Sequence, residues 1–153
     1  MSRTPIHLTV LGGGQSIGKS CFLLSVGDQH VLLDCGSFVG KDTRKALPDF
    51  AKLPKGVQID DICAVLISHF HMDHIGGLPN LLWTLRKLDS RQGRLAGKTV
   101  RLYLPDRRAW PAISAFLSLS GGGRFQCSFN LDVRDIADGV IYDEDGLRVT
   151  ALH

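Results

Sequence analysis

No run in this 153-residue sequence approaches the roughly 18 consecutive apolar residues that crossing a bilayer demands. The first residues, Met1-Ser2-Arg3-Thr4-Pro5, lack the apolar core of a secretory leader and run straight into strand-like sequence. Cysteine is sparse. Cys21, Cys35, Cys63 and Cys127 form no C-x-x-C pair, and three of them lie in or beside apolar runs, so they read as reduced, buried thiols. Charge is nearly balanced too: the net value of +3 permits an anionic substrate without demanding one. These absences point to a single soluble domain of the cytoplasm or nucleus, with a real core and no membrane partner.

What is present is concentrated in one stretch, Ser68-His69-Phe70-His71-Met72-Asp73-His74. It follows Ala64-Val65-Leu66-Ile67, a short β-branched run that reads as a buried strand. Gly76, Gly77 and Pro79 come next, then Leu78, Leu81, Leu82, Leu85 and Leu88 at helical spacing, with Pro79 tolerated in the first turn. The cluster therefore sits on a turn between a strand end and a helix start, where rigid elements position functional groups. Imidazole and carboxylate suit zinc and related metals. In extended chain His69 and His71 project from one side and could hold one ion, while Asp73 and His74 could hold a second. Two metals about 3.5–4 Å apart can clamp a phosphoryl or acyl group around a bridging hydroxide. A surface loop with incidental histidines is disfavoured by four residues of ligand type within six positions. A closed structural zinc site is disfavoured because no cysteine lies beside them.

Earlier in the chain, Ile6–Leu11 alternates as a strand, with His7 an ordinary strand residue. Gly13 to Ser20 then satisfies G-x-x-x-x-G-K-S, the phosphate-cradling pattern. That pattern needs a helix after it. Cys21–Val26 and His30–Asp34 instead read as two strands around a Gly27-Asp28 turn, which leaves no residues for a crossover helix. Nucleotide binding is set aside, and the glycines are read as letting the backbone turn tightly. Between Lys41 and Lys55 the chain is polar with a short helix, and Lys41, Arg44, Lys45, Lys52 and Lys55 read as a solvated face rather than as phosphate contacts. Asp60-Asp61 read as solvated strand-entry residues. Trp83 reads as a packing residue, and Arg86, Lys87, Arg91, Arg94 and Lys98 as a basic, exposed stretch. Val100–Leu104 is a strand and Ala109–Leu119 a helix. Phe125, Cys127 and Phe129 alternate as another strand. Val140–Tyr142 and Leu147–Ala151 are two more, joined by an Asp145-Gly146 hairpin turn.

His69-x-His71-x-Asp73-His74 resembles the metal-binding signature of the metallo-β-lactamase fold hydrolases. Gly14-Gln15-x-x-Gly18-x-Ser20-Cys21 and Leu33-Asp34-Cys35-Gly36 resemble the opening of its β-CASP RNA-processing nucleases, of the Integrator and 3′-end endonuclease type. That likeness covers roughly residues 8–80. The remainder is more similar to generic metallo-β-lactamase hydrolases, RNase Z among them. The resemblance implies an α/β fold: a mixed sheet with flanking helices, half of an αββα sandwich, with the chain being the N-terminal part of such a domain and leaving an apolar sheet face uncovered. It implies two Zn2+ ions in the complete domain, a metal-bound hydroxide as nucleophile, and Asp73 as the group that also orients it. It implies Asp34 as a support behind the metal loop, and it makes His153, just after the Leu147–Ala151 strand, a weak candidate for a further ligand. It implies hydrolysis of a phosphodiester in RNA, with single-stranded RNA and either a protein partner or a C-terminal half as partners. The residues leave two alternatives open: a small-molecule thioesterase, lactonase or phosphodiesterase, or an inactive half-domain serving as a subunit.

Overall fold

The computed structural model describes residues 4–15, 17–41, 46–119 and 123–152. Within them one mixed sheet has its strands in chain order: β1 (Ile6–Gly12), β2 (Cys21–Val26), β3 (Gln29–Leu33), β4 (Ile62–Leu66), β5 (Thr99–Leu104) and β6 (Asn130–Asp135). β1, β2 and β3 are antiparallel neighbours, whereas β3 through β6 run parallel. Helices α1 (Met72–Ile75), α2 (Leu78–Gln92) and α3 (Trp110–Leu119) complete the first layers, and β7 (Gly139–Glu144) and β8 (Leu147–Ala151) form a separate hairpin. None of the described helices is long and apolar enough to cross a membrane.

Each face of the sheet carries a buried cluster. On one face Leu23, Leu32, Val65 and Leu102 meet the stripe Leu78, Leu81, Leu82 and Leu85 of α2. Each of these leucines is at most 1% exposed, and such burial contributes about 2 kcal/mol per side chain. Gly93, at φ 63, ends α2 in the left-handed conformation that glycine adopts without strain. On the other face the hairpin packs Tyr142 and Leu147 against Val31, Ala64, Leu66 and Tyr103. The Tyr142 hydroxyl donates to Gln29, and Arg101 pairs with Glu144 at 2.5 Å, which anchors β7 to the sheet. The hairpin stops short of β1, so Ile6, Leu8 and Val10 stay 68%, 59% and 41% exposed on that same face.

Several sequence expectations need correcting. Phe125, Cys127 and Phe129 do not form a strand; the strand is β6, which begins at Asn130. The segment before it is tied to helices instead. Phe125 N–H donates to Ser118 Oγ, Arg86 Nε donates to the Gln126 carbonyl, and the Ser128 hydroxyl donates to buried Asp89. Apolar alternation here serves a coil pressed on the core. Asp60 is not solvated: it is 4% exposed and faces Arg94 at 2.8 Å. Arg94 and Lys98 are therefore partners of Asp60 and Asp61 rather than a free basic loop, and Arg86, Lys87 and Arg91 belong to α2. The expected stripe Leu78, Leu81, Leu82, Leu85 and Leu88 does lie on α2, and a separate single turn, α1, precedes it. Trp83 packs under the Arg86 guanidinium, 4.8 Å from its ring centroid.

All four cysteines are free, with Cys21 and Cys35 buried. A hydrogen bond with Cys35, then burial, pushes the Cys21 thiol far up, and burial pushes Cys127 up to about 11. Thiols so disposed stay protonated and unreactive near neutral pH.

Candidate metal centre

The parallel strands β3 and β4 end together, with Leu33 opposite Leu66, and the chemistry collects at their carboxyl ends, where open α/β sheets bind ligands. Asp34 follows β3 directly. Its backbone lies at φ 59, a region that costs a non-glycine residue energy, and its N–H donates to the Leu66 carbonyl at 2.8 Å. Ser68, one residue past Ile67, donates its own N–H to Asp34 Oδ1 at 2.7 Å. The chain then runs through His69 and Phe70 to His71, whose extended backbone caps the single turn of α1.

That turn is held from outside. The Asp73 carbonyl accepts from Ser20 N–H at 2.7 Å, the His74 carbonyl from Cys35 N–H at 2.8 Å, and the Met72 carbonyl from Ser37 N–H at 2.8 Å. Gly36 lets the two segments meet. A Cβ there would stand 1.7 Å from the Asp73 carbonyl oxygen and 2.8 Å from the His74 nitrogen. No side chain fits between these backbones.

Ligand atoms of His69, His71 and Asp73 lie within 4.8 Å of one another. His74 adjoins them, with Nε2 3.5 Å from Asp73 Oδ2 and its ring centroid 3.8 Å from that of His69. The structure thus brings all four motif residues together. Asp34, whose side chain is 12% exposed, stands behind them. Its Oδ2 contacts His74 Nδ1 at 2.7 Å and accepts from the Ser68 hydroxyl at 3.0 Å. Ser68 Oγ also reaches His69 Nδ1 at 3.1 Å. A hydroxyl that donates to a carboxylate keeps its lone pairs for an imidazole N–H. A neutral ring held in this way has its proton on Nδ1 and its Nε2 open as a ligand. An imidazole held by a carboxylate through one nitrogen, with the other nitrogen open, is the usual state of a metal-ligating histidine. The donor set and this backing fit a divalent cation such as zinc. A cavity of about 410 Å³ opens beside Asp34 and Ser68, between the sheet and the end of β8.

Ser68 received no role from the sequence, although its place directly before the first histidine was visible. His153 lies outside the described residues, as do Arg44 and Lys45.

The family model described as "Anti-Pycsar protein Apyc1" matches residues 6–109, more than half of the chain. "Integrator complex subunit 11" of Danio rerio is 41% identical over 75 residues, which is 48% of this chain and 12% of that protein. "Cleavage and polyadenylation specificity factor subunit 3-II" of Arabidopsis thaliana shows the same identity over the same length and shares. The chain thus matches only a small part of the length of either relative. The metallo-β-lactamase fold protein YhfI of Bacillus subtilis superposes with a TM-score of 0.59 at 21% identity, covering 92% of this chain and 50% of YhfI. The α/β half-sandwich is therefore a partial metallo-β-lactamase fold, and the likeness to Integrator-type sequences is confirmed.

Proposed function

The chain belongs to the family described as Anti-Pycsar protein Apyc1, and from that premise we propose that it is a metal-dependent hydrolase of phosphodiester bonds in RNA. The observation that carries this reading is the cluster of His69, His71 and Asp73 with His74 beside it, backed by Asp34. The matches to a cleavage and polyadenylation factor and to an Integrator subunit favour RNA as substrate and a protein partner in the working complex.

His69 and His71 would hold one zinc ion, and Asp73 and His74 a second. Zinc bound there would bring the pKa of water toward neutrality and offset charge on the attacked phosphate. The chain's own residues do the rest. Asp34 and Ser68 hold the His74 and His69 rings at the angle that presents Nε2. The Asp73 carboxylate, 28% exposed, accepts a hydrogen bond from the attacking water and aims it. The backbone bonds from Ser20, Cys35 and Ser37 hold the turn so that this geometry costs no reorganisation during reaction.

The test is cleavage of a labelled single-stranded RNA by the zinc-loaded chain, beside a thioester and a lactone. Cleavage of RNA is expected, abolished by a chelator, restored by zinc, and slowed about a hundredfold or more in Asp73→Asn. Turnover of the thioester or lactone with intact RNA would contradict the substrate assignment.

A further inference from the structure

The metal loop also has an apolar side. Met72 lies between His71 and Asp73 in the chain, and Ile75 follows His74. Residues three apart on a helical turn share a face, which puts Met72 and Ile75 of α1 together. With Leu78, and with Ala112, Ile113 and Phe116 of α3, they line a cavity of about 280 Å³. None of the described lining residues has a polar or charged side chain.

Packing fixes this hollow in place. Leu78 is fully buried, and Ile75 and Ile113 pack on the main core cluster. The Met72 carbonyl accepts from Ser37 N–H at 2.8 Å, from the Ser37 hydroxyl at 3.1 Å and from Gly76 N–H at 2.8 Å. Its main chain is held while its side chain stays 58% exposed, and Phe116 is 59% exposed. Lone exposed apolar side chains need no explanation. These two border an apolar concavity, which is the mark of a binding site. Consecutive Cα atoms stand about 3.8 Å apart, so an occupant that touches Met72 is a neighbour of whatever is bound at His71 and Asp73.

Size and chemistry select the occupant. A partner's helix needs a groove that takes side chains from several turns, whereas about 280 Å³ is at the small end of ligand pockets and suits one ring system. A nucleobase has a flat π-face that stacks whatever its sequence, and a thioether such as that of Met72 packs well against such a ring. We propose that the hollow is a base subsite that takes one nucleobase of the RNA next to the phosphodiester attacked at the metal centre. The proposal rests on the phosphodiesterase reading for its substrate. With no polar side chain among the described walls, the subsite selects by ring area rather than by base edges, so purines are favoured over pyrimidines and adenine and hypoxanthine serve alike.

The experiment titrates adenosine, inosine, ribose and hexanoate, separately, into the metal-stripped full chain carrying 13C-labelled methionine and isoleucine methyl groups. Adenosine and inosine are expected to shift the Met72, Ile75 and Ile113 methyls alike, and ribose is expected to leave them still. The apparent Kd for adenosine rises about fivefold or more in Ala112→Leu. Position 112 is exposed and leucine is a good helix former, so this variant fills the hollow without touching the core. Its methyl spectrum shows that it is folded. Unmoved methyls under adenosine, shifts from hexanoate but not from adenosine, or an unchanged Kd in Ala112→Leu overturn the subsite. So does sedimentation that shows a dimer dissociated by Ala112→Leu, which would assign the hollow to a second copy of the chain. RNA cleavage without adenosine shifts defeats the subsite alone. Adenosine shifts with no RNA cleavage by the zinc-loaded chain defeat the phosphodiesterase reading and leave the base site standing.

Discussion

Asp34→Asn lowers zinc affinity about ten- to a hundredfold, the usual consequence of removing a carboxylate that orients a metal-ligating histidine. The substitution isolates the hydrogen-bonding role. Asparagine tolerates the φ of 59 at this position, so the backbone is spared, whereas alanine would add strain to the loss. The amide can keep an oxygen toward Ser68 N–H, which now lies 2.7 Å from Oδ1. It then turns an NH2 toward the Ser68 hydroxyl and His74 Nδ1, the two groups that Oδ2 holds at 3.0 and 2.7 Å. Two donors meet, the imidazole swings or changes tautomer, and Nε2 is no longer presented. Competition against a zinc-binding dye measures the change; unaltered affinity in a folded Asp34→Asn chain would remove Asp34 from the account.

Gly36→Ala is expected to destabilise the chain by on the order of 3 kcal/mol or more and to lower its melting temperature by about 10 °C. The added methyl would sit 1.7 Å from the Asp73 carbonyl oxygen and 2.2 Å from its carbonyl carbon. Both are backbone atoms, so no side-chain rotation relieves the overlap. Either the α1 turn moves away or the segment after β3 does. Moving either one breaks the bond from Cys35 N–H to the His74 carbonyl and shifts Asp73 and His74 off the cluster. Weaker zinc binding therefore accompanies the lost stability. Thermal melts of the metal-stripped chain, followed by zinc titration, read the two effects separately. A melt within 2–3 °C of wild type would show that the close approach of the two segments yields at little cost, an outcome usual for surface changes of about 0.5 kcal/mol.

The ligand motif was legible because its chemistry is local. Four side chains of metal-ligand type in six residues declare themselves without any knowledge of the fold, and the apolar run before them declares the strand that carries them. The strands β1 to β5 and the stripe of α2 were legible for the same reason: periodicity is a local signal. What the sequence hid depends on partners far along the chain. The resemblance implied Asp34 as a support behind the metal loop, but Ser68 lies 34 residues from it, and nothing in either neighbourhood announces that the Ser68 hydroxyl links that carboxylate to His69. Gly36 looks like any turn glycine until Asp73 is seen against it. Phe125, Cys127 and Phe129 carry strand-like alternation, yet Ser118 and Arg86 bond the Phe125 N–H and the Gln126 carbonyl in place of a neighbouring strand, and Asp89 holds the Ser128 hydroxyl. Asp60 reads as a solvated carboxylate because its cation, Arg94, arrives from beyond the end of α2. In each case the deciding contact is tertiary.

The central claim is that the cluster on the β4–α2 connection binds a catalytic metal. Elemental analysis of the purified chain, beside a His69→Ala/His71→Ala variant shown to be folded by its melt, tests it most directly. About one zinc ion or more per chain, lost from the double variant, is the expected result. A chain that takes up no zinc, or a double variant that retains as much as the wild type, would contradict it.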